Sequence, residues 1–210
     1  ALTRPVGVAS LCCGTPWKSK GMTDGYAEMA RRVLPALWEA SRGGEIPVIG
    51  DASSCTEGLE HMISADDRYA AIRVVDAVAF TAEHLLDRLD VVPVGSLALH
   101  PTCSAVRMGL AEPLRRIAEA VAVDVTVPDT WSCCAFAGDR GLLHPELTAA
   151  ATAPQAAELA GTDFDAYASC NRTCELGMTR ATGKPYHHIL ELLDRAAAAW
   201  SQPAVGGSVR

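Results

Sequence analysis

Hydrophobic residues recur along this chain with two different spacings, and stretches of the two kinds alternate. Short continuous apolar runs predict buried strands. Apolar residues at intervals of three or four predict amphipathic helices. Their alternation predicts an α/β fold with mostly parallel sheets. Strands are predicted at 5–11, 46–50, 71–75, 96–100, 123–127 and 164–168, and helices at 24–41, 77–89, 105–121, 145–159 and 185–200.

Cysteines follow the predicted strands. Cys12-Cys13 and Cys133-Cys134 are adjacent pairs in loops of small residues, and Cys55, Cys103 and Cys174 stand where a strand gives way to a helix. The carboxyl ends of parallel strands meet at one edge of a sheet, so we expect these thiols to converge there.

The cysteine landmarks repeat along the chain. The two adjacent pairs are 121 residues apart, and the segment around Cys55 matches the segment around Cys174 at an offset of 119 residues. The repeat predicts two duplicated Rossmann-like βαβ modules, at 1–90 and 91–200, followed by a flexible tail at 201–210. A counterpart of Cys103 in the first module would precede residue 1, so we expect that module to be truncated at its N-terminus.

Composition narrows the class of protein. The chain has 210 residues, of which 49% are hydrophobic and 20% charged, as in a globular domain. Its formal net charge of −7 and its lack of a basic stripe argue against nucleic-acid binding. Its apolar runs are too short to span a bilayer, and no secretory signal is present, so a cytoplasmic location is expected. Eight cysteines in such a chain favour metal binding or redox chemistry over a disulfide scaffold.

The cysteine sets suggest an iron–sulfur site. Adjacent residues direct their side chains differently, so a bent Cys-Cys segment can present two thiolates to different irons, and a [4Fe–4S] cluster takes four cysteines. Zinc and plain core packing are the alternatives, although zinc sites usually combine two Cys-x₂₋₄-Cys knuckles. Cys170 is a further candidate ligand. The second set is Cys103, Cys133, Cys134 and Cys174, and the incomplete first set is Cys12, Cys13 and Cys55.

Two histidines flank the second set. His100 precedes Cys103 by three residues, and His144 follows Cys134 by ten. A capping or turn role is the ordinary interpretation of such residues. The alternative is a hydrogen bond to a sulfide or a proton relay.

Four motifs resemble one known family. They are Cys-Cys-Gly-Thr-Pro-Trp-Lys-Ser-Lys-Gly at 12–21, His-Pro-Thr-Cys-Ser at 100–104, Cys-Cys-Ala-Phe-Ala-Gly-Asp-Arg-Gly-Leu-Leu-His-Pro-Glu-Leu at 133–147 and Asn-Arg-Thr-Cys-Glu-Leu-Gly-Met at 171–178. Together they resemble the cysteine-rich CCG domain at the C-terminal end of FAD-linked D-lactate and D-2-hydroxyacid dehydrogenases. That domain is related to the glycolate oxidase iron–sulfur subunit and to the heterodisulfide reductase B subunit.

The resemblance implies an iron–sulfur electron-transfer domain of an oxidoreductase. An FAD-binding domain upstream would oxidise a D-2-hydroxy acid, and the clusters would pass electrons to a quinone or cytochrome-type acceptor. The substrate and flavin sites would then lie outside this chain, which would contribute no catalytic residue of its own. The resemblance is also compatible with peripheral association of the full-length protein with the inner face of the cell membrane.

The chain departs from the family pattern at two positions. Ala135 replaces the glycine of the second Cys-Cys-Gly, and Asn171 stands where heterodisulfide reductase relatives have the first cysteine of Cys-x₂-Cys. The second departure favours a four-cysteine cluster over a five-cysteine one. Two other functions stay open, namely a heterodisulfide reductase-like thiol/disulfide redox domain and a zinc-bound or metal-free docking scaffold.

Overall fold

The computed structural model describes residues 2–197, in which short parallel strands alternate with helices. The strands are β1 (Val48–Gly50), β2 (Val74–Asp76), β3 (Val94–His100), β4 (Ala122–Thr126), β5 (Ala166–Ser169) and β6 (His187–His188). The helices are α1 (Thr15–Lys18), α2 (Thr23–Ala40), α3 (Ser53–Ser64), α4 (Ala77–His84), α5 (Cys103–Arg107), α6 (Ala111–Val121), α7 (Arg140–Leu143), α8 (Pro145–Leu159), α9 (Arg172–Thr182) and α10 (Ile189–Ala196).

The strands form two parallel sheets. The first half contributes the pair β1–β2, with Ile49 opposite Val75. The second half contributes four strands in the order β4-β3-β5-β6, with Leu99 opposite Ala168. Helical crossovers between parallel strands characterise Rossmann-like folds. The predicted α/β class with parallel sheets is therefore confirmed.

Two main apolar clusters form the core, and the larger one, around the four-stranded sheet, also includes Val78 and Ala82 of α4 and Leu86 after it. In the second half, β3 lies at the centre, and Leu97 is fully buried beneath α6 and α10. Helix α6 buries Leu114, Ile117 and Val121, whose spacing of three and four places them on one face. In the first half, α2 buries Met29, Val33, Leu34 and Leu37 in the same way.

Polar contacts join the two halves. Arg107 of α5 forms an ion pair with Glu57 of α3 at 2.6 Å, and the buried Ser53 hydroxyl lies 2.7 Å from the Thr102 hydroxyl. Arg140 donates to the Ser19 carbonyl at 3.0 Å. Arg140 and Ser19 are equivalent under the 121-residue repeat, so matching loops of the two copies meet each other. The division into units at 1–90 and 91–200 stays a prediction.

The strand predicted at 5–11 is wrong. Gly7 has φ of +69° and begins a short 3₁₀ helix, Val8–Ser10. Val6 is 94% exposed, and no strand lies beside this segment among the described residues to complete a ladder. An apolar run becomes a strand only where another strand satisfies its backbone. Cys12-Cys13 therefore follow a 3₁₀ turn, and the expectation that every cysteine follows a strand fails there.

Several predicted helix bounds also need correction. The helix predicted at 105–121 is two helices, because Gly109 adopts φ of +73° between α5 and α6. The helix predicted at 77–89 ends at His84 and gives way to a 3₁₀ turn. The last helix begins at Ile189, because the segment before it pairs with β5 as β6. The predicted continuation to Trp200 and the tail at 201–210 lie outside the described residues.

Candidate metal centre

The structure brings the four predicted thiols of the second half together as two pairs. The sulfurs of Cys134 and Cys174 lie 3.0 Å apart, and those of Cys103 and Cys133 lie 3.6 Å apart. Cys103 opens α5 beyond the end of β3, and Cys174 lies in the first turn of α9 beyond β5. Parallel strands thus deliver these thiols to one edge of the sheet.

The two pairs differ in exposure. Cys134 and Cys174 are 3% and 4% exposed and pack against Phe136, which is fully buried. Cys133 is exposed and Cys103 is half-buried. The Cys133 thiol and burial raise the pKa of Cys103, and the nearby Arg107 guanidinium opposes that rise. The site therefore has a buried inner pair, Cys134 and Cys174, and an outer pair, Cys103 and Cys133, that solvent reaches.

The loop that carries the adjacent pair has an unusual backbone. Ala135 and Ala137 adopt positive φ of 54° and 43°, and Gly138 follows at 74°. For residues other than glycine this conformation costs roughly 1–2 kcal/mol each. The turn lets the Ala135 amide donate to the Cys133 sulfur at 3.4 Å. Backbone strain and a thiol contact thus coincide at the cysteine pair.

The first copy explains why alanine stands only in the second. Gly14, the equivalent of Ala135, has φ of +78°. A β-carbon there would lie 2.6 Å from the Tyr26 ring, a distance that van der Waals contact forbids. The turn around Ala135 tolerates the additional methyl group at a cost in backbone energy.

A matching glycine faces the cysteines in each copy. A β-carbon on Gly177 would lie 3.6 Å from Cβ of Cys134, and one on Gly58 would lie 3.3 Å from Cβ of Cys13. Both glycines follow the helix cysteine by three residues, so one turn of helix places them beside it. Each lets its helix approach the cysteine loop closely.

The first set of cysteines forms a smaller cluster. The neighbouring Cys55 side chain, with help from Thr15, lowers the pKa of Cys13 to about 6. The same contact and burial raise the pKa of Cys55. Burial likewise raises the pKa of Cys12, which lies beside Cys13. Cys13 is thus the thiol of the first set that ionises first, and both Cys12 and Cys55 are close enough to influence it.

Cys170 lies apart from the pairs. It is 1% exposed within the main core of the second half, and its sulfur lies 3.5 Å from the Thr102 hydroxyl. Burial raises the pKa of its thiol. These features are those of a structural core cysteine.

His100 lies beside the inner pair of thiols, Cys134 and Cys174. One ring nitrogen of His100 and the sulfurs of Cys134 and Cys174 all lie within 4.8 Å of one another. Within residues 2–197 this is the one group of three potential metal ligands so closely spaced. Gln155, which no sequence signal indicated, lies 2.8 Å from His100 Nδ1. His144 instead lies at the surface beside Glu146.

Comparison with known proteins relates the second half to a family. Residues 97–179 match the family model of the CCG cysteine-rich domain. This segment is similar to a CCG domain. The match includes all four thiols of the second set, whereas Cys12, Cys13 and Cys55 lie outside it. The family resemblance of the sequence motifs is therefore confirmed.

The similarity to two known proteins extends beyond the segment that matches the CCG domain. The chain is 24% identical over 206 residues to the glycolate oxidase iron-sulfur subunit of Escherichia coli (strain K12), a match that covers 91% of this chain and 50% of the relative. It is 27% identical over 206 residues to a subunit of the anaerobic glycerol-3-phosphate dehydrogenase of the same organism, and this match covers 89% of the chain and 50% of the relative. The chain thus spans about half the length of the relatives it matches.

The CCG domain has a donor set suited to a metal centre. Its four thiols would all ligate as thiolates, and an imidazole nitrogen beside them has no hydrogen-bond partner within the described chain. Thiolate and imidazole suit iron–sulfur clusters and zinc, and not magnesium or calcium. No helix in residues 2–197 has the length and apolar character needed to cross a membrane.

Proposed function

We propose that this chain is an iron–sulfur electron-transfer domain of an FAD-linked oxidoreductase. The observation that carries the proposal is the convergence of Cys134 with Cys174, at 3.0 Å, and of Cys103 with Cys133, at 3.6 Å, within the CCG domain. One relative, the iron-sulfur subunit of glycolate oxidase, is consistent with this role.

These four cysteines would hold the cluster, and a [4Fe–4S] type matches their number. When bound, such a cluster accepts and donates single electrons. The chain's own contribution is to exclude water from the inner thiols with Phe136 and to leave Cys133 at the surface. An electron donor or acceptor would therefore approach from the side of Cys133. Cys12, Cys13 and Cys55 would form a second, incomplete site.

The finer proposal concerns the whole enzyme. An upstream FAD-binding domain would oxidise D-lactate or another D-2-hydroxy acid, and this domain would pass the electrons to a quinone or cytochrome-type acceptor. No catalytic residue is assigned to this chain. We place the protein in the cytoplasm, with the full-length form able to associate peripherally with the inner face of the membrane.

The decisive experiment is anaerobic reconstitution followed by iron, sulfide and zinc determination and a visible spectrum. We expect iron and acid-labile sulfide in about equal amounts, lost in Cys134→Ser. The matched control is Cys170→Ser, which changes a cysteine that is equally buried but lies in the core. It should retain the cluster.

Two results would reject this function. Stoichiometric zinc without sulfide would make the chain a zinc-stabilised docking scaffold. Cluster loss in Cys170→Ser, with the fold preserved by circular dichroism, would replace the four-cysteine site with a five-cysteine one and reopen the heterodisulfide reductase-like function.

A further inference from the structure

His100 occupies a position that ordinary packing does not explain. It ends β3, is 1% exposed, and lies where the sheet delivers Cys103 to the metal centre. Its Nδ1 lies 2.8 Å from Oε1 of Gln155, and Gln155 is itself fully buried on α8. Two buried polar side chains are thus fixed against each other at the edge of the CCG domain.

The partners of Gln155 define the protonation of the imidazole. Its Nε2 donates to the Ser132 carbonyl at 3.2 Å, so its oxygen must face His100. An amide oxygen only accepts hydrogen bonds, and the His100 nitrogen facing it therefore carries the proton. A neutral imidazole protonated at Nδ1 has a free lone pair on Nε2.

That lone pair has no hydrogen-bond partner. Nε2 of His100 is buried and makes no hydrogen bond to any described residue. Leaving a buried polar atom unsatisfied destabilises the fold, and native structures contain few such atoms. Nδ1 is hydrogen-bonded to Gln155, so Nε2 is the nitrogen available to the inner thiols. One ring nitrogen of His100 and the sulfurs of Cys134 and Cys174 lie within 4.8 Å of one another.

We propose that Nε2 of His100 is a metal ligand in the same centre as Cys134 and Cys174. The identity of the metal as iron in a cluster rests on the proposed function. The imidazole adds a fifth donor to the four thiols, so one iron would have a nitrogen ligand. Gln155 is then a positioning residue, since it holds the tautomer and the ring orientation of a ligating histidine, as outer hydrogen-bond partners of metal sites commonly do.

A nitrogen ligand has an electronic consequence. Replacing an anionic thiolate by a neutral imidazole raises the reduction potential of an iron–sulfur centre. We therefore expect the potential of this centre to fall when His100 is replaced by cysteine. Gln155→Leu removes the hydrogen bond that orients the ring, together with the one to the Ser132 carbonyl, and should shift the potential while iron and sulfide are retained.

The test is pulsed electron paramagnetic resonance of the reconstituted, reduced chain, prepared with natural and with ¹⁵N-labelled histidine. We expect a nitrogen coupling of the size of a directly bound ligand, which changes with the isotope and disappears in His100→Cys. The matched control is His144→Gln, because His144 is a surface histidine. That variant should keep the coupling.

Failure of this inference differs from failure of the proposed function. A chain that contains iron and sulfide but shows only weak histidine coupling would overturn His100 as a ligand. A chain that binds no iron and sulfide would reject the proposed function instead. In that case cadmium-113 nuclear magnetic resonance of the cadmium-loaded chain tests His100 independently. A coupling between cadmium and ¹⁵N-histidine that is lost in His100→Ala supports the assignment. The absence of this coupling in the parent chain overturns it.

Discussion

The sulfurs of Cys134 and Cys174 lie 3.0 Å apart, although 40 residues separate them in the chain. The first half resembles this arrangement, because Cys55 lies close enough to Cys13 to lower its pKa. In both copies the second cysteine of an adjacent pair is the buried one, and its neighbour is a cysteine in the first turn of a helix. In the second copy the adjacent cysteines are therefore not each other's partners, since Cys133 meets Cys103 and Cys134 meets Cys174.

This arrangement predicts how the metal-free chain oxidises. Treatment with diamide should give Cys103–Cys133 first, because Cys133 is exposed, and Cys134–Cys174 afterwards. Both sulfur pairs are already near contact, whereas a bond between adjacent cysteines requires a strained ring. Peptide mapping by mass spectrometry identifies the products.

A dominant Cys133–Cys134 disulfide would contradict the observed pairing. Cys170 provides the internal reference, since its burial in the core and its raised pKa should leave its thiol unmodified under the same conditions.

The two matching glycines should differ in their tolerance of a methyl group. Alanine is about 1 kcal/mol more favourable than glycine in a helix, but a β-carbon on Gly58 would lie 2.5 Å from Oγ1 of Thr15 and 3.3 Å from the Cys13 carbonyl oxygen. We expect Gly58→Ala to lower the free energy of unfolding by about 1–3 kcal/mol.

The matched variant is Gly177→Ala. Its β-carbon would approach no atom closer than 3.2 Å, namely Cγ2 of Thr148. The change in free energy should therefore be near zero, within about 1 kcal/mol. Urea unfolding of both variants measures the difference. An equal loss of unfolding free energy in the two would show that the Cys13 loop moves to accommodate the methyl group as easily as Thr148 does.

The metal-free chain should become more stable as the pH rises from 6 towards 8.5. The pKa of Cys13 is about 6 in the folded chain, against about 8.5 for a free cysteine. The unfolded state therefore binds more protons in this window. The stabilisation is complete above the unfolded value and is lost as the pH falls through 6. Its size is at most about 3 kcal/mol.

Variants of Cys55 separate this effect from the titration of other groups. Cys55→Ser keeps a hydrogen-bond donor for the Cys13 thiolate and should keep most of the pH dependence. Cys55→Ala removes the donor and should flatten the curve. Urea unfolding of reduced chain at pH 6 and 8.5 tests both, and identical slopes for serine and alanine would exclude Cys55 as the cause.

Local patterns were sufficient for much of the fold. The helices over 24–41 and 145–159 and the strand over 96–100 agree with α2, α8 and β3 to within about two residues, because their periodicity or continuous apolar character reflects burial on one or both faces. The run at 5–11 failed because strand formation depends on a partner elsewhere in the chain. The continuous helix predicted at 105–121 was wrong because Gly109 adopts φ of +73°, and the apolar spacing on which the prediction rested does not register such a break.

The sequence by itself determined the order of elements, the two cysteine sets and the family resemblance. Only the tertiary structure decided which thiols meet, that Cys170 belongs to the core, and that His100 lies beside the inner pair with one ring nitrogen unpartnered. The physical reason is that each of these features depends on contacts between residues that are far apart in the sequence. The tautomer of His100 depends on Gln155, 55 residues away, and that depends on the Ser132 carbonyl in a third segment. No local pattern encodes such a chain of contacts, because packing alone brings its members together.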